Sequence, residues 1–534
     1  MDSQATTAEV FDRDVVIVGY GPVGAVLANL LGQAGHRVAV IERTASVHHL
    51  PRAAHFDHEI MRVFQSIGLA DAIGPATSGI RGMHFLDAEG RRLFGFDQPE
   101  GPTAQGWSND YMFYQPTLEA ALRDGVARLS AVDVLLEHEV TAIIDPRHAG
   151  QAGEDGDAVA VVARPIHGDG PDRIVRARYV IGCDGASSTT RRQVGLAIDD
   201  LGFDESWLVV DTRLTTPVDL PDVCQQICDP ARPATYVPLP DPYRRWEHML
   251  LPGETRDEME ATRRVLELLE PWVAADEIEI VRAVVYTFHA VLAPRWRAGN
   301  SFIAGDAAHQ MPPFLGQGMC SGIRDAANLA WKLDLVLRGL AGDALLDTYE
   351  SERSPHVRQI IDAAVTFGGI ICTTDRDAAA ARDEHLRATP DALGGTHGGL
   401  LPSLGPGVVD AGGGELFIQP FVRDAAGAEG LLDDALGPGF ALLVRGPVRR
   451  DGAPRTLPPA FFRLGARVAH IVDRDIVPRP GACRELADRD GHLARWFEDH
   501  DAEVVLLRPD RYVFGTAATR ADIPTLVERL RGAL

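Results

Sequence analysis

The stretch from Asp14 to Glu42 constrains this chain more than any other. Residues 14–18 (DVVIV) are short, apolar and β-branched, the pattern of a strand buried on both faces of a parallel sheet. Residues 22–33 (PVGAVLANLLGQ) carry apolar side chains at helical spacing, Gly35 ends them, and residues 37–42 (RVAVIE) read as a second buried strand. That order is a βαβ unit, and it predicts an α/β protein built on a Rossmann-like sheet. Between strand and helix stands Gly19-Tyr20-Gly21-Pro22-Val23-Gly24. Gly19 permits a tight turn, Gly21 lets the backbone approach a pyrophosphate, and Gly24 lets helix pack closely on strand. The helix N-terminus, opening at Pro22, offers free N–H groups to phosphate. Glu42 then stands at the ~20-residue distance expected for a carboxylate on a ribose hydroxyl, with Arg43 beside it in the same loop. An acid there suits a free 2′-hydroxyl, not a 2′-phosphate. The unit by itself does not separate FAD from NAD.

A second motif separates them. Residues 301–309 (SFIAGDAAH) run into 312–318 (PPFLGQG). A strand is expected to end at Gly305, which leaves Asp306 to accept hydrogen bonds from ribityl hydroxyls. A loop containing Pro313, Gly316, Gln317, Gly318 and Met319 leads to a long amphipathic helix expected over 322–340. Its N-terminus can face the N1–C2=O edge of a flavin, where the reduced ring is anionic and backbone N–H groups stabilise it. A plain NAD dehydrogenase has no use for such a site. A third motif, Tyr179-Val180-Ile181-Gly182-Cys183-Asp184-Gly185, is only a turn in isolation. Standing between the other two, it is expected to be part of the same site.

The chain has 534 residues, enough for about three domains. Asp and Glu exceed Lys and Arg by 76 to 52, for a net charge of −24, which repels phosphate backbones and anionic membranes and argues against nucleic-acid or membrane partners. Lys332 is the sole lysine, so Schiff-base chemistry is excluded elsewhere. Six cysteines are scattered; Cys224 and Cys228 lack a partner pair at zinc spacing, and no metal is expected. The acidic, polar N-terminus is unlike a signal peptide, and a cytoplasmic location is expected. Residues 207–289 have β-like stretches and many prolines and predict a mainly antiparallel sheet covering a cavity. Residues 148–157 read as a loop and 389–414 as a linker, before strands at 440–444 and 503–507 and a closing helix at 522–534.

At these three ordered motifs the sequence resembles the class A flavoprotein aromatic hydroxylases, related to para-hydroxybenzoate hydroxylase and phenol hydroxylase, over about residues 14–358. Within that group it looks most like the 3-(3-hydroxyphenyl)propionate hydroxylases. The extended matches include Pro51-Arg52-Ala53, Tyr114-Gln115-Pro116, Cys228-Asp229-Pro230, Arg324-Asp325-Ala326-Ala327-Asn328 and Arg508-Pro509-Asp510-Arg511-Tyr512-Val513. The resemblance implies a para-hydroxybenzoate hydroxylase-type FAD domain in two parts (1–200 and 291–395), a β-sheet substrate domain (201–290) and a thioredoxin-like C-terminal domain (396–534). It implies that Arg52 and Gln115 lie along FAD. It also implies that NADH or NADPH, with O₂, drives hydroxylation of a phenolic ring through a C4a-hydroperoxyflavin. NADH is preferred by resemblance alone. The substrate implied is 3-(3-hydroxyphenyl)propionate or 3-hydroxycinnamate; the alternative is a tailoring hydroxylase for a polyketide or other aromatic natural product. Cys483 is the only cysteine of the C-terminal region, so a C-x-x-C exchange pair is excluded, and that domain is expected to be structural or a homodimer contact. A proton acceptor near the phenol is needed, and the candidates are His289 and Tyr286, with His248 further along the sheet. Arg244 and Arg245 are candidates to pair with a substrate carboxylate.

Overall fold

The computed structural model describes residues 9–47, 52–99, 101–147, 158–168, 170–389, 401–448, 457–480 and 484–534. The expected loop at 148–157, Cys483 and residues 390–400 of the expected linker lie outside them. The βαβ unit is present as strand Glu9–Val18, helix Pro22–Gln33 and strand Val38–Ile41. These strands form the middle of a mostly parallel sheet. Its order runs Arg297–Ala298, Ser301–Ile303, Arg173–Gly182, Glu9–Val18, Val38–Ile41, Val132–Leu135, with two antiparallel strands branching off Arg173–Gly182.

Register explains why three motifs far apart in the chain meet. Val18 pairs with Gly182 and with Ile41, and Gly182 pairs with Ile303. Three parallel neighbours therefore end at one level, and Gly19, Cys183 and Ala304 leave the sheet side by side. Cys183 N–H donates to Val18 O at 2.7 Å and Ala304 N–H to Gly182 O at 2.9 Å. The carboxyl edge of a parallel sheet is where an α/β fold holds its ligand.

The second sheet is antiparallel except for one pairing, and its order is His309–Gln310, Ile278–Leu292, Asp199–Leu214, Tyr243–Met249, Ala234–Val237, Cys224–Ile227, Gly82–Leu86, Arg92–Asp97. It reaches beyond residues 201–290 by recruiting a hairpin from residues 82–97, a long-range pairing that no local pattern encodes. One face, with Leu208, Val210, Tyr236, Trp246 and Val285, packs a core with residues of the helix Thr262–Leu269. The side chains that alternate with these face the first sheet across a cavity.

The helix after the flavin-type loop runs Gly318–Leu337, four residues earlier than the sequence suggests. Gly318, at the end of the glycine-containing loop, reads as loop because glycine is a weak helix former. Gly322 is glycine for a tertiary reason: a Cβ there would lie 2.6 Å from Val23 and 3.0 Å from the Gly305 Cα. The partner helix Thr348–Ile371 packs beside it. Residues 421–517 supply a third, seven-stranded sheet, in which Ala441–Arg445 and Arg467–Val472 are parallel and Val504–Leu507 and Val513–Ala517 follow antiparallel, before the helix Ile523–Ala533.

Candidate FAD and substrate site

The first motif divides its glycines by task. Gly19 has φ +101°, and a Cβ on it would meet Cys183 O at 2.4 Å; one on Gly24 would meet Gly19 O at 2.1 Å. These two are glycine because protein is in the way. A Cβ on Gly21 would have nothing within 4 Å, so the space beside it is left for a ligand at the helix N-terminus. Glu42 follows its strand, and its carboxylate accepts from Tyr20 N–H and Thr44 N–H, each at 2.8 Å. Arg43 is exposed. Gln115 opens the helix Gln115–Ala127, and its Oε1 accepts from Arg52 N–H at 2.6 Å and Ala53 N–H at 2.7 Å. That fixes the backbone of the Arg52 segment against the same cavity, which both residues line.

Asp184 is committed locally. Its oxygens accept from the Ser188 hydroxyl at 2.5 Å and from Thr190 N–H at 2.8 Å, so its carboxylate shapes the turn while Cys183, Gly185 and Ala186 line the cavity. Arg191 bridges that turn to the next motif by donating to Ala307 O at 2.8 Å. Gly305 has φ +60°, and its N–H donates to Asp325 at 3.1 Å. Asp325 is fully buried; it also binds His309 Nε2 at 2.7 Å and Arg353 Nε at 2.9 Å. This one carboxylate therefore holds the whole Gly305–His309 turn. Asp306 opens into the cavity; the protein enclosing it pushes its carboxyl above the ordinary value, opposed by His309 and Arg52. Gly316, Gly318 and Met319 line the cavity with Pro313. Gln317 does not: its side chain is turned inward, accepting from Arg324 at 2.8 Å and donating to Asp57 at 3.0 Å. Its contribution to a cofactor is left to its backbone.

The fit to FAD rests on this chain's own geometry. There is open space at Gly21 beside a helix N-terminus, a carboxylate at Asp306, and a second helix N-terminus at Gly318 on the same cavity of about 590 Å³. The opposite wall comes from the antiparallel sheet. Asp211 accepts from Arg245 Nε at 2.7 Å and pairs with Arg282 at 2.6 Å. Arg282 also donates to the Tyr286 hydroxyl at 3.1 Å. Glu247 lies 3.8 Å from Arg245. Burial pushes its carboxyl above the ordinary glutamate value despite the guanidinium beside it. Tyr286 thus faces the cavity, held by Arg282. His289 sits half-exposed at the rim, bonded to Asp204. His248 alternates with Glu247 and lies on the far face; burial drives it down to about 3. Arg244 likewise turns away, donating to Leu239 O, Tyr243 O and Asp241.

A family model described as an FAD binding domain matches residues 12–364, and one described as the HcaD C-terminal domain matches 414–533. A probable NADH-specific resorcinol 4-hydroxylase of Rhodococcus jostii is 37% identical over 98% of this chain and 95% of its own. A 3-(3-hydroxy-phenyl)propionate/3-hydroxycinnamic acid hydroxylase of Mycolicibacterium smegmatis is 37% identical over 98% and 92%. This chain belongs to the FAD-dependent aromatic hydroxylases.

The fold of the hydroxylase agrees with solved structures. It superposes on the flavin-dependent monooxygenase PieE, in complex with FAD and substrate, with a TM-score of 0.81 at 23% identity, covering 98% of this chain and 99% of that one. For aklavinone-11 hydroxylase, with FAD and aklavinone, the TM-score is 0.77 at 22% identity, covering 97% and 98%. Among the described residues no helix is long and apolar enough to cross a membrane.

Several residues of the hydroxylase's site escape a sequence reading. Asp211 and Arg282 carried a signal, since each borders an apolar run within its strand, and buried charges are rare unless paired; Glu247 carried less, because its strand also holds Arg244, Arg245 and His248. His55 and Asp110 carried none. They are brought together at 2.6 Å by the antiparallel pairing of His55–Asp57 with Asp110–Phe113. Burial alone would lower His55; the hydrogen bond and charge of Asp110 more than reverse this, and the ring is held well above its ordinary value. Its Nδ1 lies 3.3 Å from Gly316 O, so the pair braces the turn beside the cavity.

Proposed function

We propose that this hydroxylase converts 3-(3-hydroxyphenyl)propionate or 3-hydroxycinnamate to the catechol, using NADH and O₂. The observation that carries the reading is the buried wall of Arg245, Asp211, Arg282, Glu247 and Tyr286 facing the FAD side of the cavity. Two guanidiniums share one ion-paired carboxylate there. The two guanidiniums, balanced by Asp211 and by Glu247 when it is ionised, favour a substrate oxygen that takes on negative charge, a phenol whose proton passes to Glu247. FAD, when bound, supplies the oxygen-transfer chemistry. The chain's own residues orient the ring, exclude water and take the phenol proton. Glu247 is the side chain suited to that last task, because a carboxyl raised by burial is closer to the working pH of a general base. The Tyr286 hydroxyl accepts from Arg282, so its own proton is free to donate to the substrate oxygen.

Relatives at 35–37% identity over nine-tenths or more of each chain are named for single-ring phenols, which supports a small substrate over a polycyclic one. A second reading is resorcinol, favoured by the Rhodococcus relative. NADH oxidation with product identification separates them. A dihydroxylated phenylpropanoate formed one for one with NADH supports the first reading. Turnover on resorcinol alone supports the second. Turnover only on polycyclic phenols overturns both.

The C-terminal unit reads as thioredoxin-like, supported by its parallel strand pair followed by an antiparallel pair and a helix. An experimental structure lacking that order would overturn it.

A further inference from the structure

We propose that the C-terminal unit positions the flavin loop through a buried hydrogen-bond chain running Tyr512–Glu59–Arg324–Gln317. The Tyr512 hydroxyl donates to Glu59 Oε1 at 2.8 Å. The other oxygen of Glu59 accepts from Arg324 Nε at 2.5 Å. Arg324 Nη1 donates to Gln317 Oε1 at 2.8 Å and Nη2 to Asp57 at 2.5 Å. Asp57 closes the circuit by accepting from Gln317 Nε2 at 3.0 Å. Every member is at most 5% exposed, so water cannot substitute for a lost partner.

The chain ends at a residue that matters. Gln317 immediately precedes the helix Gly318–Leu337 and stands between Gly316 and Gly318, both of which line the cavity. Both hydrogen-bonding atoms of its side chain are used inward. Its backbone, and with it the direction of the first free N–H groups of the helix, is therefore set by Arg324. Arg324 in turn is oriented by two carboxylates, and Glu59 is held on its far side by Tyr512. Tyr512 comes from the C-terminal unit, more than 450 residues along the chain from Glu59. Two-ended fixing of a guanidinium gives a preorganised loop; one-ended fixing leaves it free to rotate.

The inference rests on the FAD site and not on the identity of the substrate. Its test therefore reads the flavin: the FAD dissociation constant and the flavin midpoint potential of the full-length protein. Tyr512→Phe keeps the ring and removes only the hydroxyl. It is expected to weaken FAD binding about tenfold, the effect of losing one charge-assisted hydrogen bond. It should also lower the potential, because a misaligned helix N-terminus stabilises anionic reduced flavin less. Glu59→Gln should move both readouts in the same direction. Asp510→Asn is the control: Asp510 accepts from Trp331 at 3.0 Å at the same junction but lies outside the chain, and this variant should lower thermal stability while leaving both flavin readouts at wild-type values. Wild-type affinity and potential in Tyr512→Phe, whatever its melting temperature, would overturn the proposal. So would flavin shifts in Asp510→Asn as large as those in Tyr512→Phe, since loosening in general would then suffice.

Discussion

Gly21 and Gly24 stand three residues apart and are glycine for opposite reasons. A Cβ on Gly24 strikes the Gly19 carbonyl oxygen, while one on Gly21 enters empty space. Gly24→Ala is therefore expected to cost about 1–3 kcal/mol of stability, read as a lower unfolding midpoint without added FAD. Gly21→Ala should melt like the parent without FAD and bind FAD at least about tenfold more weakly. Equal melting losses in the two variants would contradict this division. The motif was legible in sequence down to the task of each glycine, because those tasks are local to the turn; the structure adds which atom blocks Gly24 and that the space beside Gly21 is open. Glu247, by contrast, takes its catalytic character from its surroundings. With its carboxyl raised by burial, the group is protonated, and unable to accept, up to a higher pH than an ordinary glutamate. The acid limb of kcat/KM should therefore lie above the ordinary value of 4.5. Glu247→Gln should abolish that limb and lower kcat by ~10²–10⁴-fold. A pH–rate profile unchanged in Glu247→Gln would remove it from the mechanism.

Among the elements, the Gly318–Leu337 helix shows how a polar residue on an apolar segment acts at a distance. Asp325 touches no ligand space, yet it holds Gly305, His309 and Arg353 together. Asp325→Asn removes the charge paired with the buried Arg353 guanidinium and an acceptor of His309, and it should cost ~3–5 kcal/mol together with the FAD site; denaturant unfolding and FAD titration check the two parts. The strands at residues 14–18, 179–182 and 301–304 were readable because a run buried on both faces is uniformly apolar. The helix start at Gly318 and the hairpin strands at 82–97 were not. The first is hidden because the glycine that opens the helix, a weak helix former, continues the glycine-containing loop before it, and the second needs a partner strand more than a hundred residues away.

Over the whole molecule, the C-terminal unit is tied to the FAD-binding part by a buried ionic cluster. Glu352 accepts from Lys332 at 2.7 Å and from Arg508 at 2.8 Å. Burial pushes the Glu352 carboxyl up, but Arg508 and Lys332 more than offset it and hold it at about 2. A carboxyl lowered in the fold adds stability above its unfolded value of 4.5, and that stability is lost as pH falls toward about 2. Unfolding followed across that window should lose this contribution, and Glu352→Gln, which leaves two buried cations without their shared counter-charge, should be destabilised by ~3–5 kcal/mol at pH 7. If Glu352→Gln unfolds at the parent's denaturant midpoint, the cluster does not hold the two units together.

By itself the sequence determined the parallel sheet, the FAD chemistry and the family, because those depend on short runs whose meaning is local: a buried strand, a glycine at a turn, a free helix N-terminus. Only the tertiary structure decided which charges face the substrate and which brace the loops. Arg244 and Arg245 are neighbours in sequence and point to opposite faces of one strand. Asp184 and Asp306 stand in similar motifs, yet one is consumed by its own turn and the other opens to the cavity. Pairing register, burial and the identity of distant partners set those outcomes, and none of the three is written in the residues on either side.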